Sequence, residues 1–140
     1  MVERPEYVGS PTTPRVAGSD VFGQTSAARR WSIPGRVLLC GTSEFLLLYN
    51  PSARAVRVTI TFYTLTTGQT VTKRVTVPAQ ARGTFDVTAF LRGANGASDS
   101  QLTTSHGEVL QASNTQTFIV ERSVFGANHG TPQASEGLTR

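Results

Sequence analysis

Between Val56 and Tyr63 the chain alternates without a break, Val56, Val58, Ile60 and Phe62 interleaved with Arg57, Thr59, Thr61 and Tyr63. Successive side chains of a β-strand point to opposite faces, so a period of two predicts a strand with one face in a core and the other in water. A helix with 3.6 residues per turn would scatter the same apolar set around its whole circumference. Gln69 to Val77 repeats the logic with Val71, Val75 and Val77 on one face, broken by Lys73, as befits a strand at a sheet edge. Turn chemistry separates these runs: Asn50-Pro51-Ser52, Thr66-Thr67-Gly68, Pro78-Ala79-Gln80 and Asn95-Gly96. Further strands are expected over Arg82 to Val87, Glu108 to Ala112 and Thr117 to Phe125. No segment sustains an apolar repeat at helical spacing, and only Val87 to Arg92 has room for a single turn.

About seven short strands between Arg36 and Phe125 predict an all-β chain, an immunoglobulin-like antiparallel β-sandwich of about seven strands with an extended N-terminal arm. The immunoglobulin Cys-Trp-Cys signature is absent, so the expectation concerns architecture alone. With 140 residues there is room for one domain. Residues 1–30 are rich in Gly, Pro, Ser and Thr and read as an extended arm, reaching up to about 100 Å at full extension. Residues 31–126 form the sandwich module and residues 127–140 a C-terminal tail. Tyr7, Val8, Val21 and Phe22 are the arm's apolar anchors, and Trp31 at the junction is expected to pin the arm to the module.

The two ends echo each other: Met1-Val2-Glu3-Arg4 opens the chain, and Ile119-Val120-Glu121-Arg122 lies in the last expected strand. A Gly/Ser/Pro-rich stretch and a Gln-led run follow both, as though the arm were the tail of a preceding repeat. With Asn50-Pro51, Val56 to Tyr63, Val75-Thr76-Val77-Pro78-Ala79 and Phe118 to Phe125, the chain resembles a tandem repeat of bacterial secreted and surface proteins. Such repeats run through an L-x-N-P strand end, a V-T-V-T-Y strand, a V-P-A turn and a closing I-V-x-E-R strand. The resemblance spans Trp31 to Phe125; Trp31 to Gly35 stands where the repeat carries an aromatic-Gly segment, and Gly93 to Gly107 is a longer insertion. It implies a non-catalytic extracellular module of immunoglobulin-like fold, secreted or at the cell surface. Glu3, Arg4, Glu121 and Arg122 are its signature residues.

Little in the sequence points to catalysis. The single cysteine, Cys40, sits in the apolar run Val37 to Cys40 and reads as a small buried thiol, leaving no disulfide framework and no cysteine zinc cluster. His106 and His129 fall in Gly-rich polar stretches and read as solvated loop histidines without metal-ligand spacing. Glu44, Asp86, Asp99, Glu108 and Glu121 are dispersed over strands and loops, and nothing selects a carboxylate pair from them. Glu121-Arg122 places opposite charges on opposite faces, which suits a cross-strand ion pair. Lys73 with Asn50 or Asn114 is the set an isopeptide crosslink would use, but a snorkelling edge lysine accounts for it. No cofactor or metal is expected.

The net charge is +4, from 13 Lys and Arg against 9 Asp and Glu. Arg29-Arg30, Arg36, Arg54, Arg57 and Lys73-Arg74 are scattered, and Phe45, Phe62, Phe85 and Phe118 read as core, so no stacking nucleic-acid platform is expected. A polysaccharide partner is compatible with the arginines and with Trp31, Tyr49 and Tyr63 as an exposed aromatic platform, and Asn95, Asp99 and His106 mark the loop where a ligand would sit. No apolar run reaches the ~20 residues of a membrane-spanning helix, and the N-terminus has no signal-peptide pattern. The leading expectation is a structural module that meets copies of itself or neighbouring repeats through its arm, building a surface fibre or array. A glycan- or receptor-binding adhesin module and a virion decoration or tail protein are the alternatives.

Overall fold

The computed structural model describes residues 3–8, 17–22, 26–38, 42–64, 68–95, 104–126, 133–136 and 138–139. Cys40, Asp99 and His129 lie outside the described residues, as do the side chains of Glu3, Arg4, Tyr7, Val8, Val21, Phe22, Arg36 and Asn95. In chain order the elements are β1 (Glu3–Val8), β2 (Ala17–Phe22), β3 (Arg30–Leu38), β4 (Thr42–Tyr49), β5 (Val56–Thr64), β6 (Thr70–Val77), β7 (Arg82–Asp86), α1 (Val87–Asn95), β8 (Thr104–Ala112), β9 (Ile119–Gly126), β10 (Gln133–Glu136) and β11 (Leu138–Thr139).

The expected alternation carries the fold. In β5, Val56, Val58, Ile60 and Phe62 are buried while Arg57 and Tyr63 are exposed. The same parity runs through Leu46 and Leu48 of β4, Leu110 and Ala112 of β8, and Val120 and Val124 of β9. These inward faces belong to two antiparallel sheets, ordered β10-β9-β4-β7 and β11-β3-β8-β5-β6. They pack as a β-sandwich. Phe62 of one sheet meets Phe85 of the other with ring centroids 6.1 Å apart, and the buried Trp31 indole donates from Nε1 to the Phe118 carbonyl at 2.8 Å. Trp31 is therefore a core residue with no exposed surface, where the sequence suggested an arm anchor or an aromatic platform. A ring that large recovers the most apolar burial when wholly enclosed, provided its N–H finds an acceptor.

β6 lies at a sheet edge, as the exposed Lys73 suggested. Turns are found at Asn50-Pro51-Ser52 and at Pro78-Ala79-Gln80; Thr66, Thr67 and Gly96 lie outside the described residues. Asn50 is buried and pins three carbonyls from Nδ2, those of Arg54, Val77 and Pro78, while its Oδ1 accepts from the Ser52 amide. Gly68 closes the β5–β6 hairpin at a φ of 68°, a conformation that costs a glycine nothing.

Four features differ from the sequence reading. Asp86 ends β7 and caps a full helix, accepting from the Ala89 amide at 2.8 Å, where a single turn was expected. Val87 and Leu91 of α1 are buried on one face. The strands are also distributed differently from those of an immunoglobulin constant-type domain, which puts its first, second, fourth and fifth strands in one sheet and its third, sixth and seventh in the other. Among the strands β3 to β9 the first, β3, joins β8 and the last, β9, joins β4. Alternation specifies which face of a strand is buried but not which sheet receives it. The residues read as an extended arm contain an antiparallel ribbon, β1 paired with β2 from Glu3↔Phe22 to Val8↔Ala17. Finally, the C-terminal tail supplies β10 to the edge of β9 and β11 to the edge of β3.

Candidate functional site

At one end of the sandwich the inward parity continues into charged side chains. Glu44 precedes Leu46 and Leu48 on β4, His106 and Glu108 precede Leu110 and Ala112 on β8, and Arg122 lies between Val120 and Val124 on β9. Glu44 and His106 are 0% exposed, Glu108 1% and Arg122 6%, so four ionisable groups share the dry interior. The expectation of a solvated loop His106 is thus overturned: Gly107 does not interrupt β8, which begins four residues earlier than the apolar pattern implied. Glu44 and Glu108, distant in sequence and read as unrelated, converge on the same imidazole.

His106 Nε2 lies 3.0 Å from Glu108 Oε1 and 3.6 Å from Glu44 Oε2. Glu108 Oε2 is 3.7 Å from Arg122 Nη1, which also donates to the Pro34 carbonyl at 2.9 Å. That carbonyl is delivered by an irregularity of β3. Ile33 pairs with Glu108 and Arg36 with His106, leaving Pro34 and Gly35 opposite the single residue Gly107, a β-bulge. Proline cannot donate to a ladder, which suits a bulge position. A Cβ at Gly107 would meet the Gly35 backbone at 3.4 Å, the near limit of ordinary van der Waals contact. The backbone of β4 is held from the other side, its Glu44 amide donating to Thr88 Oγ1 of α1 at 2.7 Å.

Burial disfavours charge on His106, yet the two adjacent carboxylates outweigh it and raise the imidazole to about 9. Burial pushes Glu108 up to about 7, with His106 opposing and the charge of Glu44 adding. Burial acts to raise Glu44 as well, but His106, followed by Glu108 and Arg122, holds it below the usual carboxylate range. With His106 protonated and both carboxylates ionised, the four groups sum to zero. Apart from these ion pairs, Glu44 Oε1 and His106 Nδ1 make no hydrogen bond to a described residue. One nitrogen and two carboxylate oxygens lie within 4.8 Å of one another, a donor set of the kind that holds a divalent ion.

Other expected site residues do not assemble. Arg122 turns inward and Glu121 lies half-buried, so their charges do occupy opposite faces. Tyr49 and Tyr63 are 37% and 43% exposed but lie on β4 and β5, in different sheets, which with the buried Trp31 dissolves the three-ring platform. Lys73 is exposed, 5.9 Å above the Phe90 ring, and Asn50 and Asn114 are committed to backbone carbonyls. Asn95 ends α1. On the outer face of β3-β8-β5 a shallow groove of about 420 Å³ is lined by Arg30, Thr59, Thr61, Tyr63, Val109, Gln111 and Ser113. Arg30 Nη1 reaches Gln111 Oε1 across it at 3.4 Å.

A signal for the charged cluster was present in the parity of the strands. Glu44, Glu108 and Arg122 each stand two residues from an inward apolar neighbour, and His106 shares their parity four residues before Leu110. Gly107 directly after His106, and the polar run before it, masked the signal.

The geometry defines an all-β sandwich of two antiparallel sheets with a buried charged cluster joining them. No family model matches the chain, and no curated protein does. Among solved structures it is similar to protein 1070 of Thermotoga maritima, with a TM-score of 0.66 and 16% identity over 83% of this chain and 97% of that one. At that identity the likeness speaks to the fold. The described helix is too short to cross a membrane.

Proposed function

We propose that this chain is a non-catalytic structural module of the cell surface that joins a neighbouring copy or repeat through its N-terminal ribbon. The observation that carries the reading is that, among the described residues, β1 and β2 pair only with each other and belong to neither sandwich sheet, with β2 lying near β10. A two-stranded ribbon is marginal in water by itself and gains stability when a further surface covers it. The ribbon carries Glu3, Glu6 and Asp20 against Arg4 alone, whereas the edge strand β6 carries Lys73 and Arg74. β6 leaves one row of backbone groups unpaired within its sheet, the arrangement that accepts an added strand. Docking of one module's acidic ribbon on the next module's basic edge is a head-to-tail contact, which propagates as a fibre. The resemblance to tandem surface repeats agrees with this use. Catalysis is disfavoured because the acid, base and cation of the charged cluster are enclosed where no substrate reaches them.

Light scattering tests the reading. The intact chain is expected to form species larger than a monomer, and removal of residues 1–25 or the double reversal Lys73→Glu, Arg74→Glu is expected to leave monomers. An intact chain that stays monomeric at high concentration, or a truncated one that assembles unchanged, refutes it.

A second reading rests on the outer groove. Tyr63 supplies an exposed ring, and Arg30, Thr59, Thr61, Gln111 and Ser113 supply donors and acceptors, a set compatible with a glycan. A glycan array probed with the intact chain and with Tyr63→Ala separates the readings: reproducible binding lost in the variant favours the adhesin role, and a blank array favours the structural one.

A further inference from the structure

Ion pairing accounts for only part of the Glu44–His106–Glu108 cluster. The three side chains are at least 99% buried; His106 Nε2, Glu44 Oε2 and both Glu108 oxygens stand in ion-pair contact, while Glu44 Oε1 and His106 Nδ1 make neither an ion pair nor a hydrogen bond to a described residue. Buried polar atoms without a partner are uncommon in a native core. The atoms converge. Four-coordinate zinc bonds nitrogen and oxygen at about 2.0–2.2 Å, which separates neighbouring ligand atoms by about 3.3–3.5 Å. His106 Nε2 stands 3.0 Å from Glu108 Oε1 and 3.6 Å from Glu44 Oε2, on either side of that spacing. The third pair lies within 4.8 Å. Two of the three separations are within about 0.5 Å of that spacing, and the third needs a closure of no more than about 1.5 Å to bring all three onto one ion.

We propose that Glu44, His106 and Glu108 form a structural binding site for a zinc-class divalent cation that clasps the two sheets together. The donors select the metal class: imidazole suits zinc and its first-row neighbours, whereas calcium takes six to eight oxygens. Glu44 comes from the β4 sheet and His106 and Glu108 from the β8 sheet, so the ion spans the sandwich. Arg122 serves as the outer partner, its Nη1 beside Glu108 Oε2 while Glu108 Oε1 faces the imidazole. Carboxylate ligands commonly have such a hydrogen-bonding or cationic second partner, which fixes which oxygen binds. The bulge carbonyl of Pro34 holds Arg122 in turn.

Because the site is enclosed, the metal is loaded by refolding the full chain from denaturant with Co²⁺, a spectroscopic stand-in for zinc, followed by removal of free ion. The expected result is one cobalt per chain with visible d–d bands of a low-coordinate site, no thiolate charge-transfer band, and a thermal midpoint above that of protein refolded with chelator. His106→Gln and Glu44→Gln are each expected to abolish the bands. Absence of stoichiometric cobalt in the wild-type chain, or bands that persist in both variants, overturns the assignment. Should neither variant fold, X-ray absorption on the wild-type cobalt protein decides: one imidazole with oxygen neighbours upholds the site, and a sulfur or all-water shell overturns it.

Discussion

His106 and Asn50 show two ways in which a polar residue lives in this core. Asn50 is satisfied: its amide holds the β4–β5 turn to the end of β6 through three carbonyls. Asn50→Ala removes a small volume but orphans buried acceptors, and is expected to cost about 2–3 kcal/mol in urea unfolding. His106 is held by charge, which makes its contribution depend on pH. In the metal-free protein its folded value, about 9, lies above the ordinary 6.5, so the folded chain keeps a proton that the unfolded chain releases. That stabilisation is complete below about pH 6.5 and is lost as pH rises through 9. Glu108 acts in the same direction from 4.5 to about 7, its burial making the protonated form the better fit. Glu44, lowered, acts oppositely, its contribution being lost as the pH falls through its folded value. The thermal midpoint of chelator-treated protein is therefore expected to fall between pH 6.5 and 9, and His106→Gln is expected to flatten the slope. A midpoint that rises across this window contradicts the buried charged cluster.

Among the elements, α1 and the β3 bulge do the positioning. The helix begins where Asp86 accepts the Ala89 amide, and its Thr88 hydroxyl accepts the Glu44 amide, so one turn links the cap to the charged cluster. Asp86→Ala is expected to cost about 1 kcal/mol by loss of the cap, measured as a shift in denaturant midpoint at constant slope. The bulge turns the Pro34 carbonyl toward Arg122. The period-two pattern of β5 was readable residue by residue, because each of its side chains either enters the core or leaves it. The bulge was not readable: it exists because two strands distant in sequence run out of step at Gly107, and neither strand alone contains that information. The helix was under-read for a related reason. Its buried face, Val87 and Leu91 with Phe90 beside them, is short, and its stability comes from packing on the sandwich more than from local propensity.

For the whole molecule, the buried core among the described residues runs from Trp31 to Val124, and β1 and β2 belong to neither sandwich sheet. Removing residues 1–25 is therefore expected to leave a cooperative unfolding transition intact while changing assembly, and loss of that transition in calorimetry would show the ribbon to be part of the folding unit. Trp31→Ala acts on the sandwich itself, opening a large cavity and leaving the Phe118 carbonyl without its donor; a cost of about 3–5 kcal/mol is expected. The amino-acid sequence by itself determined an all-β chain, the inward parity of its strands, the turns at Asn50 and Gly68 and the edge position of β6, because each follows from one residue and its near neighbours. The tertiary structure alone decided which sheet took each terminal strand, that Trp31 would be enclosed, and that Glu44, His106, Glu108 and Arg122 would meet. Those outcomes depend on long-range register between strands, and a shift of one residue in any of them would turn the charged groups out into water.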